Sequence, residues 1–298
     1  LKKNSKIITN EENKEFKIIK NIANKRGIKI ITIGNKSKNI KIFDNKYKNN
    51  KQIVKISIKK KTYILKIPLI GYFQVKNLLM AVLAALHCGL SAKKILSKIH
   101  KIKSVNGRLE NVVKLNNNSN IVVDFAHTPD ALEQSLIALK KQYKQKIVIV
   151  FGCGGERDKK KRILMGKIAA KYCHKIFVTD DNPRNENPKA IRDRIIMGCK
   201  KLAFNVPNRK DAIKIAIKKL KAKEILLVAG KGHEETQDYG NKIINFSDKK
   251  IIKNIVKKNI YNNKFKDIKY NGVSINSKNV KKNNLFFAIK GKNLDGHN

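Results

Sequence analysis

What this sequence has little of narrows the field first. No apolar run approaches the roughly 18 residues that a bilayer-crossing helix needs, so no segment is expected to insert into a membrane. Cysteine is scarce: Cys88, Cys153, Cys173 and Cys199 are the only four, with no Cys-x-x-Cys pair. Nor do histidines accompany them at zinc spacing, so the expectation is reduced thiols in a cytoplasmic protein. Acidic residues number 22 against 68 Lys+Arg, a formal net charge of +46. Such an excess ordinarily points to nucleic acid or an anionic membrane surface. Here the lysines are spread along the whole length among Asn and Ile, and do not cluster with aromatics as a stacking groove would. Nucleic acid is therefore not expected as the partner. Arginine is the scarce cation, eight of those 68, so a position that keeps it points to use of its planar fork. A signal peptide is missing, and Leu1 stands where Met would open a chain, which suggests a fragment.

What is present organises itself by period. With 298 residues and 41% hydrophobic content, two domains with their own cores are possible. Residues 1–70 read as short strands and one helix, with Lys/Asn-rich loops at 35–52. Lys55 to Ile67 alternates as a hairpin that ends at Pro68. An Ala-rich helix is expected from Asn77 to Gly89, and Ser91 caps the next, running to about His100. Asn106-Gly107-Arg108 is a turn and a domain boundary. Beyond it strands at 121–124, 147–151, 176–179 and 225–229 alternate with helices at 129–141, 161–172, 188–202 and 209–221, which implies a doubly wound parallel sheet. A helix at 249–258 and a linker at 261–269 precede a small β unit broken off at Asn298.

Ligands of such sheets bind beyond the carboxyl ends of the strands, and four loops lie there. In the first, Asp124 is placed to accept from a ribose hydroxyl, and His127 to pack on a base or bond a phosphate; Thr128-Pro129 also reads as a helix cap. The second, Gly152-Cys153-Gly154-Gly155-Glu156-Arg157-Asp158, lets backbone approach a ligand and carries Arg157 as its cation. The third, Thr179-Asp180-Asp181-Asn182-Pro183-Arg184, sets a carboxylate, an amide and a guanidinium side by side. In the fourth, Gly230-Lys231-Gly232-His233-Glu234, the acid reads as exposed and free to receive an ammonium group. Neither glycine-rich loop ends in the Lys-Ser/Thr of a phosphate-binding P-loop. Two arginines, an amide and a carboxylate suit a zwitterionic amino acid, its carboxylate on Arg by two parallel bonds.

Phe151–Asp158, Asp180–Arg184 and Val228–Glu234 resemble the Mur ligases of peptidoglycan synthesis, and within them the diaminopimelate-adding branch. The resemblance covers about residues 5 to 258 and includes Gly71–Asn77, Asn106–Glu110 and Asp124–Asp130. It implies an α/β fold: the back half of a P-loop-type central ATPase domain at 1–106, then a Rossmann-like doubly wound C-terminal domain at 107–260. Residues 261–298 would be a linker and the start of a truncated small α/β domain, similar to the N-terminal domain of the D-alanyl-D-alanine-adding relative, fused or adjacent. Diaminopimelate binding is implied for Arg157, Asp181, Asn182, Pro183, Arg184, Gly230 and Glu234, and ATP binding for Asn77, Arg108, Asp124 and His127. Departures are small: Glu156 where the family usually has Asp, and Phe125 where it usually has Tyr.

The activity so implied is ATP-dependent addition of meso-diaminopimelate to UDP-N-acetylmuramoyl-L-alanyl-D-glutamate through an acyl phosphate, with ATP and Mg2+. The family's UDP-sugar domain, its Gly-Lys-Thr-Thr loop and its Mg2+ and carbamylated-lysine site are expected upstream of residue 1. The reading of another class is a non-catalytic remnant or a basic nucleic-acid-associated protein.

Overall fold

The computed structural model describes residues 5–199, 203–265 and 271–287. Described residues up to Lys253 form one compact unit, and those from Asn254 onward another.

The first unit opens with β1 (Lys6–Asn10), α1 (Phe16–Lys25), β2 (Lys29–Gly34), β3 (Ile40–Lys48), β4 (Lys51–Ile58) and β5 (Lys61–Ile67). They make one mixed sheet in that order: β1, β2 and β3 run parallel, while β3, β4 and β5 form an antiparallel meander. The expected hairpin is there, but the Lys/Asn-rich stretch at 35–52 is largely strand rather than loop. Its Lys41, Lys46 and Lys48 are exposed, while Ile40 and Ile42 enter the core and Asn45 donates to the buried Gln52, so low hydrophobicity hid a half-buried strand. Helix α2 (Tyr72–His87) starts five residues before the expected Asn77. Its Val75, Leu79, Val82 and Leu83 pack on Ile33, Ile56 and Ile67 of the sheet. Ser91 caps α3 (Ala92–Leu96) by accepting from Lys94 N, and the helix stops short of His100.

Next come β6 (Glu110–Lys114), β7 (Asn120–Asp124), α4 (Pro129–Tyr143), β8 (Ile147–Phe151), α5 (Lys160–Tyr172), β9 (Lys175–Val178), α6 (Pro188–Cys199), β10 (Ala203–Asn205), α7 (Arg209–Lys218) and β11 (Ile225–Ala229). The sheet order is β10-β9-β8-β11-β7-β6, parallel except for the edge strand β6. Strands β7, β8 and β11 are buried along their whole length, as a sheet covered on both faces requires. One face carries α4, α5 and α6, and α7 lies on the other. Two short strands, β12 (Thr236–Asp238) and β13 (Ile243–Asn245), then form a hairpin, and α8 (Asp248–Phe265) follows. Strands β6, β10, β12 and β13 are too short or too polar to stand out in the sequence. Residues 200–202 of the expected sixth helix lie outside the described residues, and 261–265 are helix where a linker was expected.

In the second unit β14 (Gly272–Ser274) and β15 (Asn284–Phe286) pair in parallel. The remainder of the expected linker, 266–269, and the end of the expected small β unit, 288–298, lie outside the described residues.

Candidate amino-acid site at the carboxyl edge of the second sheet

The loops after β8, β9 and β11 meet because backbone presses on backbone. An ideal Cβ on Gly155 would fall 1.9 Å from Pro183 O, so only glycine admits the contact, and Gly155 N donates to Asn182 O at 2.8 Å. Gly230 (φ +112°) faces Asp181 in the same way: a Cβ there would lie 2.5 Å from its Oδ2. Buried Arg162 on α5 ties the loop after β8 to the one after β9, donating through Nη2 to Gly154 O at 3.3 Å and through its fork to both oxygens of Glu186 at 3.0 and 2.9 Å. These hydrogen bonds hold the Glu186 carboxyl down to about 2.

The seven residues implied in amino-acid binding lie together here, with partners that the sequence did not reveal. Asn182 Nδ2 donates to Glu234 Oε2 at 3.0 Å, and its Oδ1 accepts from Lys231 Nζ at 2.9 Å and from Asp238 N at 3.0 Å. Lys231 is 0% exposed; its ammonium also reaches Glu234 Oε2 at 3.0 Å and Asp181 Oδ1 at 3.6 Å. Glu234 is therefore not the free acid expected. Burial pushes its carboxyl up, but Lys231 and Asn182 outweigh that and hold it below the ordinary value.

Arg184 sits at φ 51°, a left-handed conformation uncommon for a side-chain-bearing residue and concentrated at functional turns. Its Nη1 donates to Gly155 O at 2.8 Å, and its Nε lies 3.7 Å from Asp238 Oδ2. The full fork is thus not open to a ligand: Nη2 alone has no partner among the described residues. Pro183 is buried beneath the turn. Arg157 is exposed and bonds nothing among the described residues. A Cβ on Gly154 would lie 3.9 Å from its Cγ and 3.1 Å from Arg184 Nη1, which places the Arg157 stem near the Arg184 guanidinium.

Lys231 and Asp238 escaped the sequence reading. The glycines flanking Lys231 were a signal, since they mark a lysine whose backbone is wedged. Asp238 offered none: it acts from the β12–β13 hairpin, whose backbone straps the turn through Arg184 N to Asp238 O at 3.1 Å.

Residues implied in ATP binding divide. Arg108 stacks over the Phe125 ring at 4.3 Å, and His127 meets the same ring edge-on at 4.8 Å. Asp124 is buried, taking Leu109 N on Oδ1 at 3.0 Å and Ser135 Oγ on Oδ2 at 2.6 Å, and burial raises its carboxyl despite these bonds. A carboxylate offers about four acceptor positions, so it can still take a hydroxyl. Asn77 is exposed on α2, and no contact among the described residues joins it to these three. A cavity of about 630 Å³ opens between β3, the start of α2 and α4, lined by Tyr72, Phe73 and Lys76 among others. None of the implied site residues lines it. No group of three or more His, Cys, Asp or Glu among the described residues could hold a metal ion.

The Mur ligase middle domain matches residues 1–85, and the Mur ligase glutamate ligase domain matches residues 107–232. This chain belongs to the Mur ligase family. Within that family it is 42% identical over 253 residues to the UDP-N-acetylmuramoyl-L-alanyl-D-glutamate–2,6-diaminopimelate ligase of Rickettsia montanensis, covering 84% of this chain and 52% of the relative. The ligase of the same name from Zymomonas mobilis is 39% identical, with 78% and 48% covered. A solved structure bearing the same ligase name superposes with a TM-score of 0.61 at 28% identity, over 86% of this chain and 54% of the other. A MurF ligase structure from Thermotoga maritima shares the fold at a TM-score of 0.63 and 15% identity, over 88% and 55%. The chain spans about half the length of the curated relatives it matches.

Proposed function

We propose that this chain is the amino-acid-receiving half of an ATP-dependent ligase that joins meso-diaminopimelate to the D-glutamyl carboxylate of UDP-N-acetylmuramoyl-L-alanyl-D-glutamate. One observation carries the reading: the charges left over at the site match a zwitterion. Lys231 stands among two carboxylates, Asp181 and Glu234, leaving one negative charge. Arg157 has no acid, and Arg184 keeps Nη2 open beyond its pairing with Asp238. A ligand ammonium belongs at the acidic pole and a carboxylate at the guanidinium pole. Glu234 stays ionised through neutral pH because its carboxyl lies below the ordinary value.

The residues here bind and aim the amine. Fixing the nucleophile near attack distance removes part of the entropic barrier of a bimolecular step. ATP, when bound, supplies activation of the glutamyl carboxylate as an acyl phosphate. The amine then forms the C–N bond, the C–O bond to phosphate breaks, and the amine loses a proton. Arg108, Asp124 and His127 are the residues proposed to meet the nucleotide, with Asn77 approaching from α2. Mg2+ would be held by residues other than those described. The chain contains no Gly-Lys-Ser/Thr, so phosphoryl transfer depends on a segment that this sequence does not include.

The test is calorimetric titration of the 298-residue chain with meso-diaminopimelate and with L-lysine, which lacks the second carboxylate. Binding of diaminopimelate, weaker binding of L-lysine and no ATP turnover are expected. Equal affinity for the two amino acids, or ligase turnover by this chain, would overturn the assignment.

A further inference from the structure

The Lys231 ammonium is wholly buried, yet no single counter-ion accounts for it. Burying a charge is costly unless it is paired and hydrogen-bonded. Lys231 meets that condition with Asn182 Oδ1 at 2.9 Å and Glu234 Oε2 at 3.0 Å, and with Asp181 Oδ1 farther off at 3.6 Å. The consequences fall on its partners. Because Asn182 Oδ1 receives both Lys231 Nζ and Asp238 N, the amide can turn only one way, with Nδ2 toward Glu234. Glu234 Oε2 is then filled by two donors from the protein, and Oε1 takes none among the described residues. At 33% side-chain exposure, that second oxygen is the one left for a ligand.

We propose that Lys231 is a positioning residue: its buried ammonium pins Glu234 by Oε2 and presents Oε1, with the one uncompensated negative charge of the cluster, to the ammonium of the incoming amino acid. This rests on the reading of the cluster as an amino-acid site. Two carboxylates are needed because two ammonium groups share the space once the ligand arrives, and Asp181 offsets the repulsion between them. Arg209 adds a third cation nearby, but Asp248 matches its charge: Nε and Nη2 grip Asp248 at 2.8 Å each, Nη2 also reaches Ala229 O at 2.9 Å, and the buried Nη1 has no hydrogen-bond partner among the described residues. Groups facing Glu234 are thus Lys231 from its own loop, Asn182 and Asp181 from the loop after β9, and Arg209 from the start of α7.

The experiment combines a double-mutant cycle with a pH profile on the 298-residue chain. Lys231→Met should weaken meso-diaminopimelate binding by roughly tenfold or more, the loss expected when a charged hydrogen-bond partner is removed. In a Glu234→Gln background the same change should cost less than about twofold, because Lys231 acts through the carboxylate. Between about pH 8 and about pH 5, binding to the unaltered chain should hold, whereas in Lys231→Met it should fall as Glu234 takes up a proton earlier. A packing role alone would give additive losses and no change in the pH profile, and that result would overturn the proposal. Absence of binding by the unaltered chain would overturn the amino-acid reading itself; binding that Lys231→Met leaves unchanged would overturn only the role given to Lys231. Should that variant fail to fold, carbon-13 titration of the Glu234 carboxyl in the unaltered chain decides. A midpoint below the ordinary 4.5 supports the arrangement, and one at or above it overturns it.

Discussion

At the scale of single residues, the site is held by arginines that touch no ligand as much as by those that could. Glu186 carries a carboxyl held down to about 2 by the Arg162 fork, against an ordinary 4.5. A depressed acid contributes stability that is complete above its unfolded value and is lost as pH falls through the folded one. Arg162→Met is therefore expected to lower stability near neutrality and to flatten the acid limb between about pH 4.5 and about pH 2, read from urea midpoints over that range. Arg184→Lys tests the opposite kind of arginine. Lysine cannot reach Gly155 O, Asp238 and a ligand together, so meso-diaminopimelate affinity should fall by about tenfold, with ATP affinity in the complete ligase little changed; equal losses for both would place Arg184 outside the amino-acid site. The sequence made the scarcity of arginine visible and so drew attention to Arg157 and Arg184. It could not show that Nη1 and Nε of Arg184 are already engaged, because Gly155 and Asp238 come from other loops.

At the scale of elements, the parallel strands β7, β8, β9 and β11 were legible as short apolar runs, since both their faces are covered. The carboxyl-edge loops followed from them. What stayed hidden were strands whose residues belong to neither extreme. β3 mixes Ile with Lys and Asn because one face meets α2 and the other meets water. The β12–β13 hairpin is three residues a side, too short for any period to register, yet it supplies Asp238. Hairpin turns show a related tension. Asn49 and Asn50 join β3 to β4 at φ 51° and 59°, as asparagine tolerates, but Lys59 and Lys60 join β4 to β5 at φ 47° and 65°. Left-handed backbone costs an ordinary residue about 1–2 kcal/mol, and this two-residue turn favours Asn-Gly. Replacing the pair by Lys59→Asn with Lys60→Gly should stabilise the fold by about 1 kcal/mol, measured by denaturant unfolding; an unchanged or lower midpoint would mean that the lysines carry contacts worth as much as the strain.

At the scale of the whole molecule, the two sheets of the first unit meet at a place that neither sheet's own pattern announces. Gln142, buried in the last turn of α4, donates to Asn50 O at 2.7 Å and to Leu69 O at 3.4 Å, and its Oε1 accepts from Gly71 N at 3.1 Å. Gln52 reinforces the same spot by donating to Leu69 O at 2.8 Å and to Gly71 O at 3.1 Å. The β3–β4 turn, the entry to α2 and the end of α4 therefore share one amide. Gln142→Met, similar in length but without polar atoms, would leave Gly71 N without its acceptor, at a cost of about 1–3 kcal/mol for a buried unpaired group. The larger consequence is cooperativity. Each sheet has its own apolar cluster; a buried amide spanning both makes the loss of one expose polar backbone in the other. Intact, they should unfold in a single transition with coincident fluorescence and circular-dichroism midpoints. With Gln142→Met those midpoints should separate, and the half that carries the loops after β8, β9 and β11 should become a body that outlives its neighbour.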